Sequence, residues 1–105
     1  MRKFDAVAQW VWDAGKARSN LRKHKVSFEL AQRIFGDPDV VSRRDPDPGE
    51  ERWQSLGRPS SVSEVILLVV HTEPVSRPDG RASGRIISAR KATSHERRAY
   101  EEEEF

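Results

Sequence analysis

The sequence contains no cysteine. That absence excludes a disulfide scaffold and any thiolate metal site. Histidine is scarce too. His24, His71 and His95 stand far apart and show no metal-ligand spacing, so no metal and no cofactor is expected. Long apolar runs are missing. The longest, Val65 to Val70, is far too short to span a membrane. Met1 to Gln9 are of mixed character and lack the apolar run that export needs. A cytoplasmic protein with no membrane partner is expected. An excess of one charge is also lacking, since the formal net charge is only +2. The small value hides an asymmetry, because Glu101 to Glu104 gather four acids at one end and leave a basic body. A basic body suits an anionic partner such as nucleic acid or an acidic protein.

What is present fits one domain over residues 1–105, with residues 1–10 as an extension and residues 101–105 as an acidic tail expected to fray. Hydrophobic residues make up 35% and charged residues 34%, which allows a modest core beneath a densely charged surface. Val11 and Trp12 suit a short edge strand. Asp13 is a helix N-cap candidate, because its carboxylate can accept from free first-turn amides. The helix should run from about Ala14 to Lys25. Ala14, Ala17, Leu21 and His24 share one face, and Lys16, Arg18, Arg22, Lys23 and Lys25 make the rest positive. Ser27 caps a second expected helix with the stripe Phe28, Ala31, Ile34 and Phe35. Gly36 offers a left-handed end and Pro38 blocks continuation.

Beyond Pro38 the period changes. Val40 to Arg44 and Glu51 to Leu56 read as strands around the loop Asp45 to Gly49. Val65 to Val70 is β-branched and continuous, as a strand buried on both faces should be. After a loop rich in Pro, Gly and Ser, Arg85 to Ala89 reads as the last strand. Thr93 and Glu96 have capping-box spacing, so a C-terminal helix should follow through Tyr100. The expected fold is α+β: two N-terminal helices, an antiparallel β-sheet meander and a C-terminal helix.

Several segments, in order, carry a resemblance. They are Trp12-Asp13 with Lys16-Ala17, Asn20-Leu21-Arg22-Lys23-His24, Val26-Ser27-Phe28-Glu29 and Phe35 with Asp37-Pro38. Further on come Gly49-Glu50-Glu51-Arg52, Leu56-Gly57-Arg58, Val69-Val70-His71-Thr72-Glu73, Arg85 to Thr93, Glu96-Arg97-Arg98 and Tyr100-Glu101. Together they resemble the BrnT toxin family. The resemblance implies a RelE-like fold and endoribonuclease activity that arrests growth. It also implies a BrnA-like antitoxin partner, with toxin and antitoxin assembling as a hetero-oligomer that represses its own operon. Operator DNA would be reached only through the antitoxin. Ala14 and Lys25 depart from the family, which usually has proline and glycine there, and the loop Pro74 to Gly84 is longer.

Metal-free RNA cleavage needs a base for the 2′-hydroxyl, cations for the phosphate and an acid for the leaving oxygen. Arg90 and Lys91, before the last helix, are the first phosphate-binding candidates. Arg52, Arg58 and Arg85, with Arg22 and Lys23 of the first helix, are RNA-binding candidates. His71 or Glu51 is the candidate base, and His24 or Tyr100 the candidate acid. Each has a plainer reading: His24 and Tyr100 as packing residues, His71 as a structural hydrogen bond, Glu51 as an arginine's partner. His95 is expected to be solvated, and Trp10, Trp12 and Trp53 to be core or interface anchors. The cationic face of the first helix suits RNA or the acidic part of an antitoxin. A non-catalytic nucleic-acid-binding or co-repressor subunit is the alternative function. Convergence of His71, Arg90 and Lys91 on one phosphate would separate the two.

Overall fold

The computed structural model describes residues 9–47 and 49–105. Strand β1 (Gln9–Val11) leads into helix α1 (Ala14–His24), then α2 (Phe28–Ala31) and a 3-10 helix (Gln32–Gly36). Strands β2 (Val41–Arg44), β3 (Trp53–Gly57), β4 (Leu67–His71), β5 (Val75–Ser76) and β6 (Ala82–Lys91) follow, and helix α3 (Ser94–Glu101) ends the order. Gln9 and Trp10, the end of the expected extension, belong to β1; the rest of it lies outside the described residues.

The caps form as their chemistry requires. Asp13 Oδ2 accepts from Lys16 N at 2.9 Å, and Ser27 Oγ accepts from Leu30 N at 3.0 Å. Helix α1 stops at Lys25, which adopts the left-handed conformation with φ 61° and ψ 27°. Its amide donates to Leu21 O at 2.9 Å. Glycine would hold that conformation more easily, by about 1 kcal/mol. The second helix differs from expectation. Its α-helical turn tightens to 3-10 at Gln32, and Asp37 N closes onto Ile34 O at 3.0 Å. That turn satisfies its own last carbonyl, so Gly36 needs no left-handed cap. Among the described glycines only Gly80 has positive φ.

The sheet order is β1-β6-β4-β3-β2, with β5 also pairing β6. Strands β2, β3, β4 and β6 pair antiparallel, as does β5 with β6. The all-antiparallel meander needs one correction: β1 lies parallel to β6, with Gln9 opposite Ser83 and Val11 opposite Arg85. Short connections impose antiparallel pairing, and nearly the whole chain separates β1 from β6. The last strand is longer than expected. It includes Arg90 and Lys91, and a register shift at Val70/His71 leaves Ile87 unpaired on β6.

The core divides between the two sheet faces. On one, α1, α2 and the 3-10 helix cover Trp53, Leu67, Val69, Ile86 and Ala89 with Val26, Phe28, Ala31, Ile34 and Phe35. Trp10 stacks on Phe35 at 4.1 Å between centroids, directly over Gly84, where a Cβ would meet the indole at 2.5 Å. On the other face, Tyr100 of α3 joins Val41, Leu56, Ile66 and Leu68. Helix α3 begins with the expected capping box, both reciprocal bonds of Thr93 and Glu96 being present. Beyond α3 the acidic segment makes a turn. Glu103 adopts φ 56°, and Phe105 packs beside the second cluster with the Arg43 guanidinium 4.2 Å from its ring. Leu21 also departs from expectation. It is 49% exposed rather than turned into the core.

Asn20 fastens α1 to the sheet. Its Nδ2 donates to Ala89 O at 2.8 Å and to Val26 O at 3.0 Å, and its Oδ1 accepts from Ala89 N at 3.1 Å. The amide thus takes the place of a neighbouring strand where β1 no longer covers β6. Truncation would leave these buried backbone groups unpaired. Asn20→Ala should therefore cost about 3 kcal/mol of stability. Urea unfolding beside the parent chain checks it, and a loss below about 1 kcal/mol would contradict this role.

Candidate active site

Residues alternate sides along a strand, and the bulge at Ile87 resets the alternation on β6. Arg90 stands opposite Leu68, Ser88 opposite Val70, and Val70 opposite Gln54. These residues share the face that carries α3. Arg85, beyond the bulge, directly follows Gly84, which backs onto Trp10 on the other side, so Arg85 points away from that indole. The open part of the α3 face is therefore polar: Gln54 on β3, Ser88 on β6, and arginines on each side.

Three of the arginines here engage carboxylates, whereas Arg43, opposite Gln54 on β2, donates to the Gln54 Oε1 at 3.0 Å and lies over Phe105. Arg90 makes a two-pronged pair with Glu96, at 2.8 and 3.0 Å. Hydrogen bonding to Glu96 raises the Arg90 pKa, and the same bond from Arg90 lowers that of Glu96. Glu96 also accepts from Thr93 N at 2.9 Å, so the helix cap orients the arginine. Arg85 Nη2 contacts both oxygens of Glu50 at 2.9 Å. Glu50 belongs to the β2–β3 loop, which reaches past two strands to do this. Arg52 pairs with Asp45 at 3.1 Å and with Asp47 at 2.9 Å. Burial alone would raise the Asp45 pKa, but hydrogen bonds from Gln54, the Asp47 backbone and Arg52 outweigh it and hold it below its usual value.

His71 sits elsewhere. It is 0% exposed, on the face covered by the helices. Its ring meets those of Trp10 and Phe35 edge-on, each at 5.0 Å. Nδ1 lies 2.7 Å from Thr72 O, so this nitrogen carries the proton. Nε2 then accepts from Ser55 Oγ at 2.6 Å, which in turn accepts from Ser42 Oγ at 2.6 Å. Burial drives the His71 pKa down to about 4.

The other candidates scatter. Lys91 follows Arg90 on the strand and so faces the opposite side, lining a groove with Lys25 and Leu30. The structure therefore does not bring His71, Arg90 and Lys91 together. Glu51 is exposed and pairs with Arg44 at 2.6 Å on the β2 side. Tyr100 donates to Asp37 Oδ2 at 2.7 Å, and burial, reinforced by Asp37, raises its pKa to about 12. Arg58 lies over the Tyr100 ring at 5.7 Å, and its backbone N donates to Asp37 Oδ2 at 2.8 Å. These three form a lock between α3 and the chain entering β2.

His24 closes α1 and is half-buried, lining a recess of about 210 Å³ with Lys16, Lys23, Ile87 and Ser88. Arg22 is exposed in the same last turn but lines a different hollow. His95 is exposed, as expected. Sequence reasoning missed Glu50, Glu96, Gln54 and Asp37 as partners. Only Glu96 carried a signal, its capping-box spacing. Among the described residues no group of three or more His, Asp or Glu is placed to hold a metal ion.

The fold and this face define a class: a small basic α+β protein whose arginines, held in carboxylate forks, suit the recognition of phosphate. Residues 12–96 match the family described as the ribonuclease toxin BrnT of type II toxin-antitoxin systems. The chain belongs to that family, and it is an RNA-cleaving toxin with an antitoxin partner. The crystal structure of the ribonuclease toxin BrnT from Brucella abortus has a similar fold. The TM-score is 0.55 at 20% identity, covering 83% of this chain and 99% of that one. No curated protein sequence matches the chain.

The buried imidazole has a consequence for stability. The unfolded chain binds a proton near pH 6.5 and the folded chain only near pH 4. Over that window the unfolded state holds more protons, so stability falls as pH falls. His71 should account for about 3 kcal/mol lost between pH 7 and pH 4. Denaturation of the parent and a folded His71→Gln variant across pH checks this. Equal pH slopes below pH 6.5 would contradict it.

Proposed function

We propose that this chain cleaves RNA without a metal, on the polar sheet face beside α3. The observation that carries the reading is the pair of arginine–carboxylate forks, Arg85–Glu50 and Arg90–Glu96, set along β6 with Ser88 between them. A phosphodiester arriving here exchanges a carboxylate for a phosphate as the guanidinium's partner. The arginines then stabilise charge growing on the phosphorus oxygens. The 2′-oxygen attacks phosphorus, the bond to the 5′-oxygen breaks, and a cyclic phosphate remains. Glu50, released from Arg85, is the base nearest this face. Glu51 was the sequence candidate, but its pairing with Arg44 favours its neighbour. His24 is the acid–base group best placed to protonate the leaving oxygen, since its recess shares Ser88 with the face. Tyr100 and His71 serve the fold in this reading, because both are buried and committed to other partners. Lys23, Arg52 and Arg58 extend the cationic approach to the RNA.

The same reading makes the antitoxin BrnA-like and DNA-binding, so that operator DNA is reached only through it. It makes the working assembly a cytoplasmic toxin–antitoxin hetero-oligomer and the architecture RelE-like. The arginines support metal independence, because they supply the positive charge that a metal would otherwise bring to the phosphate.

Cleavage of single-stranded RNA by the purified protein tests the proposal. Arg85→Ala and Arg90→Ala, each confirmed to be folded, should lower the rate by roughly 100-fold or more. EDTA should leave the parent rate unchanged. Full activity in both variants would move the site off β6, and EDTA-sensitive cleavage would refute the metal-free scheme.

A further inference from the structure

Two groups of cations differ in their partners. On the polar sheet face Arg52, Arg85 and Arg90 are paired with acids. Arg18, Arg22, Lys25, Arg33 and Lys91 form no ion pair with any described residue. These five surround two adjoining hollows that share Lys25, one of about 460 Å³ and one of about 280 Å³. The floor is aliphatic. Leu21 is 49% exposed, and Leu30 and Val65 are each 38% exposed. No acidic residue lines either hollow.

We propose that this groove is the docking site of the antitoxin, which lays an amphipathic, acidic segment along it. The inference rests on the family's antitoxin partner and adds the surface that partner uses. Charge complementarity calls for acids at the rim, and the exposed leucines call for an apolar stripe between them. A helix with apolar residues at i, i+3, i+4 and i+7 offers both. RNA fits less well here, because no aromatic side chain lines either hollow to stack a base, and the exposed leucines favour an apolar side chain over a sugar or phosphate.

Lys25 gives independent support. It stands at the junction of the hollows in a left-handed conformation that glycine would hold with less strain. A lysine kept there places a charge where both hollows can use it. The groove opens on the helix-covered side of the sheet, with Lys91, whereas Arg90 faces the other way. Antitoxin grip and phosphate recognition are thus separable.

The test uses the full chain and the purified antitoxin from the same operon. Affinity is measured by calorimetry, and contacts by amide hydrogen exchange. Leu21→Asp should weaken antitoxin binding at least tenfold. Lys25→Gly, which relieves backbone strain and should fold at least as well, should weaken it severalfold. Both should cleave free RNA at the parent rate. Protection on antitoxin binding should appear at residues 18–25 and 30–33. Unchanged affinity in both variants, or protection confined to the polar sheet face, would overturn the proposal. Loss of RNA binding with unchanged antitoxin affinity would assign the groove to RNA and overturn it too. If the parent protein cleaves no RNA yet loses antitoxin affinity on Leu21→Asp, the catalytic reading fails and the docking site stands.

Discussion

The amide of Asn20 holds α1, the turn after it and the last strand in one arrangement. It answers both backbone groups of Ala89 on a strand edge that β1 leaves uncovered, and it also binds Val26 O. An open strand edge presents unpaired donors and acceptors, and burying them without partners is costly. One side chain solves this and fixes the helix's height along β6. His24, four residues later on α1, is thereby set beside Ser88, and Lys25 and Val26 are set at the groove. Both the proposed catalytic face and the proposed docking surface depend on this contact.

A second constraint is the division of charge. On the polar sheet face Arg52, Arg85 and Arg90 are each matched by a carboxylate from a loop or a helix cap. Glu96 does two jobs, capping α3 and orienting Arg90. Such forks hold guanidinium planes in place before a substrate arrives, which reduces the ordering needed on binding. Around the aliphatic groove no such matching exists. A protein that must release RNA and yet be held by an antitoxin has reason to keep the two surfaces chemically different.

The two buried titratable rings show how the same residue types serve the fold. His71 ends a relay through Ser55 and Ser42 beneath Trp10 and Phe35. Tyr100 closes α3 onto Asp37 and Arg58. In sequence both stood as candidates for catalysis beside a structural reading, since residue type and a strand-end or helix position do not report depth. Burial and fixed partners make them cross-links between layers.

Local chemistry was legible from the chain alone. The caps at Asp13, Ser27 and Thr93, the apolar run of β4 and the stripe from Phe28 to Phe35 act over a few residues, and the ordered motifs pointed to the family. Glu96 could be read as a cap, though not as the partner of Arg90. What spans long separations was decided only by the tertiary structure: the parallel seat of β1, the bulge on β6, the parting of Arg90 from Lys91, and the reach of Glu50 to Arg85. Strand pairing and side-chain burial depend on which distant segments meet, and a single bulge changes which face a residue occupies. The sequence thus determined the local elements and the family, while the sheet's register decided which charges could act together.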